Sequence, residues 1–231
     1  MSIGLHFEVL LNTAPLQELG IALAMFAYLM FVVYSTKWVY ARLRSRNVEH
    51  NISVYYNRKI IHIFGAGVLT LLFPVFFTGI AIPMILVAII AIVIYIPHRR
   101  GKILYWFQMK ENAYEVNFTI AWGFAIGFSW LIFGDPIYGV ITASFMAFGD
   151  AITGVVRNAL FKRRTKHWLG NVAMLAVCIP IGYFYAGLAG FIAAIVASVV
   201  EHFEFNPIDD NVLITIGSLI TLIVLREFVG I

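Results

Sequence analysis

Long apolar runs, parted by short segments that hold nearly all the charge, fill the 231-residue chain and leave it few ways to fold. A membrane-crossing helix needs about 20 apolar residues, with a range of roughly 17–25. On that scale the runs predict helices near 16–36, 60–77, 79–96, 118–134, 136–160, 171–186, 188–204 and 212–230. The sixth and seventh are short and separated only by Ala186-Gly187-Leu188. With 61% hydrophobic and 12% charged residues and a mean hydropathy of +0.89, the chain has more apolar surface than one soluble core could hide. The expected fold is all-α: a polytopic integral membrane bundle of about eight (seven to eight) transmembrane helices, forming one domain over 1–231. The first twenty residues hold no Lys or Arg and no cleavage pattern, so no signal peptide is expected.

Charge gives the orientation. Lys37, Arg42, Arg44, Arg46, Arg58 and Lys59 follow the first run. Arg99, Arg100, Lys102 and Lys110 follow the third. Arg157, Lys162, Arg163, Arg164 and Lys166 close the fifth. Alternate threading puts all of these on one side and leaves only Arg226 near the other. By the positive-inside rule the basic side is cytoplasmic and both termini lie outside, in a plasma or endoplasmic reticulum membrane. The basic balance favours anionic headgroups or phosphates over nucleic acid as partners. Segment 97–117, with Tyr105, Trp106 and Phe107 among four cations, reads as an anchor lying flat in the interface.

Several polar groups exceed what anchoring needs. Asp150 lies ten residues inside the fifth run, roughly 15 Å deep at about 1.5 Å per residue. A carboxylate there costs at least ~2.5–3.5 kcal/mol unless a partner or water meets it. Arg157, at i+7 on the same face, is one candidate partner, and Gly149 and Gly154 flank the site as packing or approach positions. Arg58, Lys59 and His62 share one helix face. The 161–170 loop carries four cations in five positions, a density that suits either a phosphate site or a topological anchor. Glu201, Glu204 and the run Asp209-Asp210-Asn211 give more acid than one N-cap requires, and hard cations such as Mg²⁺ take oxygen ligands of this kind. Threading brings these acids to the basic side. Carboxylates for a metal beside several cations suit phosphate-group chemistry at a membrane surface. No Gly-x-x-x-x-Gly-Lys-Ser/Thr or Gly-x-Gly-x-x-Gly loop is present, so any nucleotide must bind within the membrane domain.

Three segments resemble the CTP-dependent lipid-alcohol kinases, the group of dolichol kinase, phytol kinase and CTP-using diacylglycerol kinase. They are Arg58-Lys59-Ile-Ile-His62, then Gly149-Asp150-Ala151 running through the basic loop to Lys166 and Gly170, then Glu201 followed by Asp209-Asp210-Asn211, in order over roughly 58–215. The chain departs from the family pattern at Lys166-His-Trp-Leu169-Gly170, where the family has Lys-Ser/Thr-x-Glu-Gly, and at Arg157-Asn158.

The resemblance implies transfer of the terminal phosphoryl group of CTP to a lipid hydroxyl, such as that of a polyprenol or dolichol, with Mg²⁺ or another divalent cation. It implies that Lys166, Arg163 and Arg164, with Arg58 and Lys59, hold the phosphates. Arg157, Gly149, Gly170 and Asn211 belong with the nucleotide. Asp209, Asp210 and Asp150 would hold the metal. Catalysis falls to Asp150 or Glu201 as the group that orients or deprotonates the hydroxyl, with His62 beside them. A CDP-lipid synthase and a membrane carrier using Asp150 as its ion site are the alternatives.

Overall fold

A computed structural model of the chain describes residues 5–162, 165–203 and 209–229, with side chains as far as Arg226 in the last segment. Among these residues there is no strand. A short 3₁₀ turn, Phe7–Leu10, precedes seven helices: α1 Pro15–Ser45, α2 His50–Phe76, α3 Ala81–Arg99, α4 Tyr114–Phe133, α5 Ile137–Phe161, α6 Trp168–Glu201 and α7 Asp210–Val229. Six of them, α1 to α6, are long and apolar enough to cross a bilayer. The expectation of an all-helical bundle of the membrane type is met at that level.

The helices run past the apolar stretches at several ends. The first extends through the basic residues to Ser45, and the second begins at His50, so Arg58 and Lys59 lie inside a helix. Backbone hydrogen bonds do not stop where side chains turn polar, and long cationic side chains reach an interface from a helical position. Segment 100–113 is not a flat anchor. Trp106, Phe107 and Gln108 are buried, Trp106 Nε1 donates to the Val33 carbonyl at 3.1 Å, and Asn57 Nδ2 donates to the Trp106 carbonyl at 2.8 Å. The aromatic residues that suggested an interface instead plug the segment onto α1 and α2.

In α5, 78% of the most apolar stretch is buried, against 6% in α3. So α5 is the centre of the bundle, and α3 leaves most of its apolar surface uncovered. The core around α5 is closed by small residues: Ala143, Ala147, Ala151, Ala193, Ala194 and Ala197 are all fully buried. Small side chains let helix backbones approach where lipid supplies no hydrophobic drive between helices.

Two helices carry π-helical turns, Ile61–Gly67 in α2 and Phe145–Asp150 in α5. They pack on each other: a Cβ at Gly67 would stand 2.6 Å from the Phe148 ring. A π-turn inserts an extra residue into the helical ladder and re-aims the side chains around it. The first contains His62 and the second ends at Asp150.

Helix α6 is broken at Ala186 (φ −140°, ψ 24°) and Gly187 (φ 51°, ψ −132°), where the sequence placed a turn. The positive φ at Gly187 is one that side-chain-bearing residues rarely adopt. The two arms fold back on each other, so that Cβ atoms at Gly182 or Gly190 would strike the other's backbone. Further along, Ser198 Oγ donates to the Asn171 carbonyl at 2.9 Å and Asn171 Nδ2 donates to the Ser198 carbonyl. This hairpin returns Glu201 to the level of the start of α6.

Candidate functional site

The N-terminal half of α2, residues 109–114, the C-terminal half of α5, Lys162, Thr165 and Lys166 ahead of α6, the last residue of α6 and the first turn of α7 surround one polar cavity of about 400 Å³. Three ion pairs cross it. Lys59 Nζ donates to both carboxylate oxygens of Asp150, at 2.7 and 2.6 Å. Arg157 grips Glu201 with two parallel bonds, Nη1 to Oε1 at 2.7 Å and Nη2 to Oε2 at 2.9 Å. Lys166 Nζ donates to Asp210 Oδ2 at 2.7 Å and to the Glu201 carbonyl and Oε1 at 2.8 and 3.2 Å. Arg157, then, is the partner of Glu201 and not of Asp150. It is held further by Nη2 to Asn171 Oδ1 at 2.7 Å and Nε to the His167 carbonyl at 2.9 Å.

Buried charges cost several kcal/mol each unless paired and hydrogen-bonded, so this network explains how α5 carries Asp150 and Arg157 at 3% and 4% exposure. The pairing also gathers the carboxylates. Ligand oxygens of Asp150, Glu201 and Asp210 lie within 4.8 Å of one another, a spacing at which one divalent cation can be shared. For Lys166, burial alone would lower the pKa, but the Asp210 and Glu201 carboxylates outweigh it and hold the ammonium above its ordinary value.

His62 is buried at the inner end of the cavity. Its ring stacks on Phe118 with centroids 4.0 Å apart, and Nδ1 lies 3.4 Å from Asp150 Oδ2 without a hydrogen bond to any described group. Arg58 lines the cavity nearby, 3.5 Å from Glu115 Oε2 and bonded to Asn112 Oδ1 at 3.3 Å. Asn211 lines the cavity at the start of α7.

Other expected residues fall elsewhere. Asp209 does not line the cavity; its Oδ1 accepts from the Val212 N–H at 3.2 Å and caps α7. Burial and the neighbouring Asp210 carboxylate push its pKa up to about 6. The acid that joins Asp210 and Asp150 is Glu201, not Asp209. Gly149 also does not line the cavity and packs against Cys178 and Met174, a close helix contact. Gly170 does likewise against Arg157 and Thr153, where a Cβ would displace the guanidinium. Arg163 and Arg164 lie outside the described residues, as does Glu204.

Three residues in or beside the cavity carried no sequence signal. Tyr55 lines the cavity, with Lys59 Nζ 5.0 Å from its ring centroid, and sits with Lys59 against the bare backbone of Gly154. Its spacing of four from Lys59 would have marked it had the helix been read back to His50. Glu115 was also missed. It binds His98 Nε2 at 2.5 Å and accepts from Gln108 Nε2 at 2.9 Å, fixing Arg58 while tying down segment 100–113. Asn171 is the third. Only the α6 hairpin, which brings it beside Arg157 and Glu201, reveals its place.

Compared with known proteins, the chain matches no protein-family model, no curated protein and no solved structure.

Proposed function

We propose that the chain is a CTP-dependent kinase that transfers the terminal phosphoryl group to a lipid alcohol of the polyprenol or dolichol kind at the cytoplasmic face of its membrane. The observation that carries this reading is the convergence of Asp150, Glu201 and Asp210 in one cavity ringed by Lys59, Arg157 and Lys166. Phosphoryl transfer needs little covalent help from a protein. It needs positioned cations, a metal and a group to take the hydroxyl proton.

In this reading Asp150, Glu201 and Asp210 would hold Mg²⁺, whose oxygen-rich coordination the three carboxylates suit. When bound, the ion screens the charge of the phosphates. Lys166 and Lys59 turn from their carboxylates toward the phosphate oxygens, and Arg58 and Lys162 line the approach. Asp150 takes the proton of the lipid hydroxyl as its oxygen bonds to the terminal phosphorus and the bond to the departing nucleoside diphosphate breaks. Glu201 is the weaker candidate for that role because Arg157 grips it through two bonds and stays in place, whereas Asp150 is freed when Lys59 turns to the phosphates. Arg157 is therefore a positioning residue that holds Glu201 and Asn171.

The orientation belongs to the same proposal. Taking the two arms of α6 as separate crossings and counting α7 gives eight spans, with both termini outside and the cavity cytoplasmic. Glu201 and Lys166, at opposite ends of the α6 hairpin, meet on that side.

The test is label transfer by purified protein with Mg²⁺, using CTP labelled at either the α- or the γ-phosphorus and a panel of polyprenols and diacylglycerol. Label reaching lipid only from the γ position is the expected result. Label only from the α position, with a lipid phosphate as acceptor, would make the protein a cytidylyltransferase. Failure to bind nucleotide, with ion-coupled flux in vesicles, would make it a carrier.

A further inference from the structure

A second cavity, of about 180 Å³, lies between α1, α2, α3 and α4. Its walls are apolar: Leu29 on α1, Leu69 and Phe73 on α2, Leu86 and Ile90 on α3, and Trp122 on α4. Its rim includes Tyr34 and Val93, 60% and 45% exposed on helices that face the bilayer. Arg58 and His62 line both this groove and the polar cavity, so the two meet there.

Two features define an occupant. The first is the junction. His62 Nδ1 is buried and has no hydrogen-bond partner among the described groups, and an unmatched buried polar atom is costly. An anionic head would face Asp150 and Glu115, and a cationic one would face Lys59 and Arg58. A neutral hydroxyl, able both to donate and to accept, suits His62 and Asp150 together. The second is size. A cavity of about 150 Å³ holds one benzene, so this groove encloses about seven or eight carbons of one hydrocarbon chain and not two chains side by side.

We propose that this groove seats the hydrocarbon chain of a single-chain lipid alcohol, which enters from the bilayer between Tyr34 and Val93 and presents its hydroxyl at His62. The alcohol's role as phosphoryl acceptor rests on the kinase reading above; the seat for its chain does not. The groove excludes diacylglycerol, whose second chain has no place.

Photo-crosslinking of the full chain in phosphatidylcholine nanodiscs tests this, using a single-chain alcohol that carries a diazirine about eight carbons from its hydroxyl. Labelled residues should be Leu69 and Phe73 of α2 and Leu86 and Ile90 of α3. Unlabelled alcohol should compete and diacylglycerol should not. Leu69→Trp and Ile90→Trp should each cut labelling by about tenfold, the loss expected when about two methylenes are denied burial, with nucleotide affinity unchanged. Labelling confined to the outer face of α3 at Ile85 and Ile89, or equal competition by diacylglycerol, would overturn the proposal. So would undiminished labelling in both filled variants. If either variant fails to fold, the map on the unsubstituted protein decides. Groove labelling in a protein that transfers no phosphoryl group would uphold the seat and remove the kinase reading. Transfer without groove labelling would do the reverse.

Discussion

Asp150 and Lys59 stand 91 positions apart in the chain and form one of its closest side-chain pairs. Depth alone marked Asp150 as a residue needing a partner, and the nearby Arg157 was a natural candidate. The structure gives it Lys59 instead, because the π-turn ending at Asp150 re-aims the carboxylate while Arg157, on regular helix, faces the returning end of α6. The gathering of these charged residues at one end of the bundle was thus legible, and their pairing was not. Asp150→Asn keeps an acceptor for Lys59 but removes the proposed base. It should lower turnover by about 10²–10⁴-fold while the protein still folds. Asp150→Leu strands the Lys59 ammonium and should cost about 3–5 kcal/mol. Turnover and thermal denaturation of the two variants, measured side by side, separate chemistry from stability.

At the level of elements, apolar runs located the helices, and Ala186-Gly187-Leu188 located the break in α6. The π-turns left no trace, because adding one residue to a helical turn changes the side-chain directions without requiring any particular residue type. The extension of α2 back to His50 was missed for another reason: polar residues there looked like loop, though they cover a helix that packs on α1 and α5. Gly187 is where conformation has least latitude. Gly187→Val should destabilise by about 1–3 kcal/mol through its φ and ψ alone. Gly20→Ala on α1, with open space around the added methyl, should be neutral or slightly stabilising. Unfolding midpoints in one detergent check both.

Across the whole molecule, most of the charged residues collect at one end of the bundle. That segregation was readable from charge position, since fifteen of the 16 Lys and Arg fall between alternate runs. What holds the end together needed coordinates: one ion pair links α2 to α5, a second links α5 to α6, and a third links the 162–167 segment to α7. A ligand bound there braces four elements at once. Mg²⁺ with CTP, at a hundredfold excess over Kd, should stabilise the protein by about 2.7 kcal/mol. Chelation, or Asp210→Asn, should erase the gain in a melting experiment.

The third tie also bears on how the protein is made. α7 leaves the ribosome after every other helix described here, and Asp210 on its first turn is the counter-ion of Lys166. Until it arrives, the half-built bundle holds a cationic side chain beside a Glu201 already claimed by Arg157. The arrival of α7 therefore supplies the counter-ion that Lys166 otherwise lacks. A nascent chain stalled before residue 209 would expose that imbalance to the membrane's quality-control machinery, whereas completing one more turn of helix would conceal it.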